Sequence, residues 1–124
     1  MLAKTLRNGL GCMMATVDQL TRPAKTQRSA EAQAEVNARA AKMALYQFHG
    51  CPFCIKVRRE MHKLNLPIQT RDVNKDPLAE QELINGGGKR TVPCLRIEHE
   101  DGTVQWMYES KDIIQYLQSQ FGSL

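Results

Sequence analysis

The run Cys51-Pro52-Phe53-Cys54 constrains this chain more than any other feature. It follows Ala44-Leu45-Tyr46-Gln47-Phe48, which reads as a buried strand. It opens Pro52 to Leu64, where Cys54, Val57, Met61 and Leu64 fall on one helical face and Lys56, Arg59, Glu60 and Lys63 on the other. At a helix start, free N–H groups and the helix dipole stabilise an anion, which favours the thiolate of Cys51. Pro52 costs nothing at the first helical position, because its missing N–H would have no intrahelical partner. Cys54, one turn in, is placed to attack a mixed disulfide on Cys51 while being more buried. The spacing therefore reads as a nucleophile at Cys51 and a resolving thiol at Cys54. A zinc half-site and an inert disulfide are the other uses of such a pair. Tetrahedral zinc takes four ligands, and the further candidates Cys12, Cys94, His49 and His62 contain no second paired motif.

The remaining elements can be placed around this pair. Ile68 to Val73 reads as a second strand, and Asp76 caps a helix with Pro77 at its first position that ends in Gly86-Gly87-Gly88. Pro93 to Glu98 and Thr103 to Tyr108 form two strands joined through Asp101-Gly102, a strong hairpin signal. Ser110 is expected to cap a last helix to about Gln120, burying Ile113, Ile114, Leu117 and Phe121. The order β-α-β-α-β-β-α predicts an α/β fold with a mixed sheet covered by helices on both faces. In Thr91-Val92-Pro93 the proline begins a strand, where it is tolerated only at special positions. Two arrangements satisfy this. A cis Val92–Pro93 bond would offer the Val92 backbone to an extended peptide; a trans bond would make an ordinary strand start.

The first third of the chain differs in character. Residues 1–42 hold seven Lys/Arg and three Asp/Glu, whereas residues 43–124 hold ten of each, so the net charge of +4 lies entirely in the first segment. Leu2, Leu6, Leu10, Met13, Val17 and Leu20 form a helical stripe, which Gly9 and Gly11 weaken by roughly 1 kcal/mol each. Thr21-Arg22-Pro23 ends it. Ser29 then caps a second helix, Ala30 to about Met43, whose only large apolar residue before Met43 is Val36; it reads as an exposed spacer. Two parts are therefore expected: a basic helical extension over residues 1–43 without a core of its own, and a folded domain over residues 44–124.

All seven aromatics lie outside the basic segment, so no basic-aromatic face for nucleic acid can be read. The run Asn8 to Val17, free of charge, is too short to span a bilayer, and no apolar stretch suited to a secretory signal follows Lys4 and Arg7. With four cysteines and a single paired motif, the expected compartment is the reducing cytoplasm. Residues 1–42 are expected to make weak contact with a partner or with an anionic inner membrane face.

From about Ala44 to Phe121, roughly two-thirds of the chain, the sequence resembles the glutaredoxins, members of the thioredoxin-fold superfamily. The resemblance rests on Cys51-Pro52-Phe53-Cys54, on Thr91-Val92-Pro93 and on their separation. It implies a thioredoxin-like fold with a mixed four-stranded sheet, Cys51 as nucleophile, Cys54 as resolving thiol and Pro93 as a cis-proline beside them. Glutathione is implied as co-substrate, paired along the Val92 backbone, with no tightly bound cofactor and no metal. Disulfide-bearing or glutathionylated proteins are the implied partners.

One departure stands out. Where glutaredoxins commonly carry a glycine-rich turn followed by acidic residues, this chain reads Tyr108-Glu109-Ser110-Lys111-Asp112. That is similar to the Glu-Ser pair of the N-terminal domain of glutathione transferases, where carboxylate and hydroxyl bind the γ-glutamyl group. Ser110 at a helix N-terminus suits a carboxylate and Glu109 an ammonium; a capping role for Ser110 is compatible with this.

The glutathione-binding set implied by the resemblance is Phe53, Lys89, Thr91, Val92, Pro93, Glu109 and Ser110. Lys89 and Arg90 either meet the glycyl carboxylate or lie in a solvated loop. His49 either tunes Cys51 or simply ends a strand. Cys94 reads as a small strand residue or as an oxidisable thiol, and Cys12 has no assigned partner. The expected function is a glutathione-dependent thiol-disulfide oxidoreductase. Its rivals are a redoxin reduced by thioredoxin reductase and a non-enzymatic iron-sulfur carrier.

Overall fold

A computed structural model describes residues 25–123. Helix α1 (Ala30–Ala40) leads into strand β1 (Met43–Gln47), helix α2 (Pro52–Lys63), strand β2 (Gln69–Asp72) and helix α3 (Pro77–Glu82). Helix α3 passes into a π-helical turn (Leu83–Gly87), followed by β3 (Cys94–Glu98), β4 (Val104–Tyr108) and helix α4 (Ser110–Phe121). The sheet order is β2-β1-β3-β4, with β1 and β2 parallel and the other two pairs antiparallel. This βαβ unit followed by a hairpin and helix is the thioredoxin-like arrangement expected.

The element ends follow from local chemistry. The Asp76 carboxylate accepts from the Leu78 N–H at 3.0 Å, and Pro77 occupies the first turn of α3. Gly88, at φ 91°, closes the π-helical turn in the left-handed region that glycine enters without steric cost. In the hairpin, the Asp101 carboxylate accepts from the Thr103 N–H at 3.0 Å and from its hydroxyl at 2.6 Å.

Alternation along the strands divides the core in two. Leu45, Leu95 and Ile97 face Val57 and Met61 of α2 and Ile113, Leu117 and Phe121 of α4. Tyr46 and Cys94 face the other way, toward Val73, Ala79 and Leu83, with Trp106 and Tyr108 packed alongside.

The segment read as an exposed spacer belongs to the larger core instead. Val36 and Ala40 of α1 are 0% exposed and share a cluster with Leu45, Leu117 and Phe121. They lie four residues apart on one face, and the small side chains around them let the helix come close. Strand β1 accordingly starts at Met43, which is itself buried in that cluster.

Polar contacts lock this docking at the ends of α2 and α4, whose last carbonyls have no intrahelical donors. The Thr26 N–H and hydroxyl both donate to the Lys63 carbonyl, at 2.8 and 2.6 Å. The Gln33 side chain donates to the Asn65 carbonyl at 3.0 Å, Arg28 to the Phe121 carbonyl at 3.2 Å and Arg39 to the Gln120 carbonyl at 3.3 Å. The expected stripe from Leu2 to Leu20, and Cys12 within it, lie outside the described residues. Among the described residues no helix is long and apolar enough to cross a membrane.

Candidate active site

Sheet register brings three distant segments to one end of the molecule. Tyr46 of β1 pairs with Cys94 of β3, which pairs with Tyr108 of β4. Neighbouring strands lie about 4.8 Å apart, so these three positions span about 10 Å. Beyond this edge the chain leaves β1 toward Cys51, enters β3 through Thr91-Val92-Pro93, and leaves β4 through Glu109 and Ser110. Most of the site residues read from the sequence gather here.

Cys51 immediately precedes α2 in extended geometry (φ −71°, ψ 124°), and its carbonyl accepts from the Ile55 N–H at 2.9 Å. Its own N–H donates to the Phe48 carbonyl at 3.3 Å, which folds the strand-to-helix loop into a tight turn. Cys51 is half-buried, Cys54 is fully buried, and both are free thiols. The two side chains interact across the first turn of the helix. Burial pushes the Cys54 thiol up to about 12, with Cys51 adding to the rise, while a backbone hydrogen bond from Phe48 and the Arg58 guanidinium pull it down. Cys54 is thus a neutral thiol at physiological pH. Beside them the Phe53 ring is 57% exposed, with the Lys56 ammonium 5.6 Å from its centroid.

On the β3 side, the Val92–Pro93 peptide is cis. Thr91 is exposed, Val92 half-buried and Pro93 buried. Behind them the buried Cys94 thiol lies beside the Tyr108 side chain, whose hydroxyl donates to the Lys89 carbonyl at 3.2 Å. The Lys89 ammonium lies 4.6 Å from the centroid of the Tyr108 ring. Burial raises Cys94 to about 11 against the opposing pull of Tyr108 and Lys89. A β-carbon on Gly87 would overlap the Tyr108 hydroxyl, and one on Gly86 would overlap the Trp106 ring. Those two glycines let the turn before Lys89 lie directly on the rings.

The third segment corrects one expectation. Ser110 does not cap α4; it is the first helical residue, and Glu109 takes the cap position without a side-chain capping bond. Strand β4 runs up to Tyr108, and the chain turns at Glu109 alone, which is exposed and held at φ 71°, ψ 113°. Non-glycine residues seldom adopt positive φ, and such strain clusters at ligand-binding positions.

Other candidates are less central. His49 is exposed in the loop before Cys51. Arg90 lies over the Phe48 ring at 5.2 Å and pairs with Glu80 at 3.3 Å, so it is engaged within the protein. Among the described residues no group of three or more His, Cys, Asp or Glu side chains is arranged to hold a metal ion.

Sequence reasoning missed Arg58. It donates to the buried Gln47 side chain, to the Phe48 carbonyl at 3.4 Å and to the His49 carbonyl at 2.6 Å. Its position four residues beyond Cys54, on the same helical face, was the available signal. Tyr108 was read only as a strand residue; nothing local announced its bond to the Lys89 carbonyl.

A family model described as glutaredoxin matches residues 43–101. That span belongs to the glutaredoxin family. The glutaredoxin match contains both the paired cysteines and Thr91-Val92-Pro93, and it places the domain in a family of thiol-disulfide oxidoreductases. Prostaglandin E synthase 2 of Danio rerio is 39% identical over 82 residues, covering 66% of this chain and 20% of that protein. The counterpart from Mus musculus is 34% identical over 99 residues, covering 75% and 25%. The chain therefore spans about a fifth to a quarter of the length of these relatives. Among solved structures, glutathione transferase Omega 3C of Trametes versicolor superimposes with a TM-score of 0.52 at 21% identity, covering 78% of this chain and 42% of that one. Maleylacetoacetate isomerase of Anaeromyxobacter dehalogenans with bound glutathione gives a TM-score of 0.50 at 24% identity, covering 65% and 38%. Both likenesses show the shared fold.

Proposed function

We propose that the glutaredoxin domain is a glutathione-dependent thiol-disulfide oxidoreductase acting on protein disulfides and glutathione mixed disulfides. One observation carries this reading: a half-buried free Cys51 at the start of α2, one turn before a fully buried free Cys54. The Cys51 thiolate attacks the glutathione sulfur of a mixed disulfide; the protein thiol leaves and glutathione stays on Cys51. A second glutathione then attacks and leaves as glutathione disulfide. Alternatively, Cys54 attacks Cys51, the bound glutathione departs as thiolate, and two further glutathiones reduce the Cys51–Cys54 bond.

Glutathione is a co-substrate in this scheme. Glu109 and Ser110 take its γ-glutamyl end, the backbone at Val92 its cysteinyl unit and Lys89 its glycyl carboxylate. Supporting the reading are the convergence of these segments at one sheet edge and a neighbour of the same fold that binds glutathione. The test is turnover of a glutathione mixed disulfide with glutathione and glutathione reductase as electron supply. Robust turnover is expected. Reduction by thioredoxin reductase alone, or a brown anaerobic preparation without turnover, would move the assignment to a redoxin of different supply or to an iron-sulfur carrier.

The likeness to prostaglandin E synthase 2 favours a second reading, in which this chain is the thiol-bearing part of an enzyme forming prostaglandin E. Direct assay of prostaglandin E formation separates the two. Product formed by the chain and lost in Cys51→Ser supports it; thiol turnover without such product favours the first reading for the chain on its own.

A further inference from the structure

We propose that Arg58 is the positioning residue of the resolving step: anchored on the loop before Cys51, it supplies the positive charge against which the buried Cys54 becomes a thiolate. The inference rests on the dithiol reading above. To release a group bound to Cys51, Cys54 must lose its proton to solvent base and attack the Cys51 sulfur. The Cys51–Cys54 bond forms, the old disulfide breaks, and the electron pair departs on the leaving thiolate. Cys54 is 0% exposed, so water does little to stabilise its anion, and burying an unpaired charge is costly.

Arg58 is built to meet this need. It lies one turn beyond Cys54 on α2, and its guanidinium is held by the Gln47 side chain and by the Phe48 and His49 carbonyls. Gln47 is itself only 6% exposed, so one anchor is buried. The same loop bears the Phe48 backbone group that is hydrogen-bonded to the Cys54 sulfur. One side chain thus ties the end of β1 to α2 and holds a positive charge one helical turn from Cys54. Among the described residues, Arg58 favours the ionisation of Cys54 and Cys51 opposes it. The nearby Lys56 is turned outward over Phe53.

The test uses the full chain carrying Cys12→Ser and stoichiometric dithiobis(nitrobenzoate), with stopped-flow detection of the coloured thionitrobenzoate. A first release reports adduct formation at Cys51, and a second reports attack by Cys54. Arg58→Met and Arg58→Gln are expected to slow the second release relative to the first by about tenfold, because a fixed positive charge one helical turn from the buried sulfur is lost. Arg58→Lys, which keeps the charge, is expected to stay within about threefold of the parent. Equal slowing of both phases would overturn the proposal in favour of a purely structural clamp, as would a lysine variant no faster than the glutamine one. A parent chain without any second phase would overturn the dithiol reading itself. Because the probe contains no glutathione, a failure of glutathione specificity is read separately, in the reductase-coupled assay.

Discussion

Arg39 of α1 lies over the ring of Phe121 at the end of α4, its guanidinium carbon 4.5 Å from the ring centroid. This contact joins a helix from the basic N-terminal segment to the last helix of the domain. It makes that helix part of the fold that positions the site. Removing residues 1–41 should therefore strip the cover from the larger core and leave the ends of α2 and α4 without donors. The expected outcome is loss of cooperative unfolding in urea, and a truncated chain with an unchanged midpoint would contradict it. The milder change Val36→Ala deletes two buried methyl groups and should cost about 2 kcal/mol.

Two buried thiols give the stability a predictable pH dependence. Cys54 and Cys94 are raised to about 12 and about 11, chiefly by burial, whereas thiols in the unfolded chain titrate near 8.5. Below that value both states are protonated and the contribution is fully present. As pH rises toward 11 the unfolded state gives up protons that the folded state retains, so stability falls. The limit is about 1.4 kcal/mol per pH unit for each thiol. Urea midpoints between pH 7 and pH 10.5 should decline under reducing conditions, with a shallower decline in Cys94→Ala; a flat profile would contradict the burial of both.

Cys94 should also be slow to react. At neutral pH iodoacetamide is expected to label Cys51 while leaving Cys94 unlabelled until denaturant is added, because the Cys94 sulfur is buried and protonated. Peptide mapping by mass spectrometry reads this directly. Labelling of Cys94 in the native chain at the rate of Cys51 would show that β3 opens far more readily than its packing implies.

The glycines before Lys89 are steric necessities. Gly87→Ala places a methyl group against the Tyr108 hydroxyl and should destabilise the domain by about 1–3 kcal/mol. Combining it with Tyr108→Phe removes the oxygen in the way and should recover part of that loss, as measured by thermal unfolding. If the single variant were as stable as the parent, the close approach of this turn to β4 would be wrong.

Local signals explain what could be read from the residues. A proline after Cys51, an Asp-Pro helix start at Asp76 and an Asp-Gly turn each act within a few residues, so the strands and helices from Met43 onward follow from them. The docking of α1 does not, because an alanine-rich helix with one valine has almost no amphipathic pattern. Its burial is decided by Phe121 and Gln120, more than eighty residues away. Likewise Tyr-Glu-Ser gives no sign that Glu109 adopts positive φ and displaces Ser110 from the cap. Three glycines in a row read as a helix end, yet Gly86 and Gly87 answer to Trp106 and Tyr108 across the sheet. Arg58 went unread, since its anchors lie on the end of β1 and the loop that follows it.

The central claim is the division of labour between Cys51 and Cys54, and one comparison tests it most directly. Turnover of a glutathione mixed disulfide is measured for the parent chain, Cys51→Ser and Cys54→Ser with glutathione and glutathione reductase. The account predicts that Cys51→Ser is inactive and that Cys54→Ser keeps substantial turnover, because a second glutathione can replace the buried thiol. A Cys54→Ser chain as inactive as Cys51→Ser, or a Cys51→Ser chain that still turns over, would contradict it.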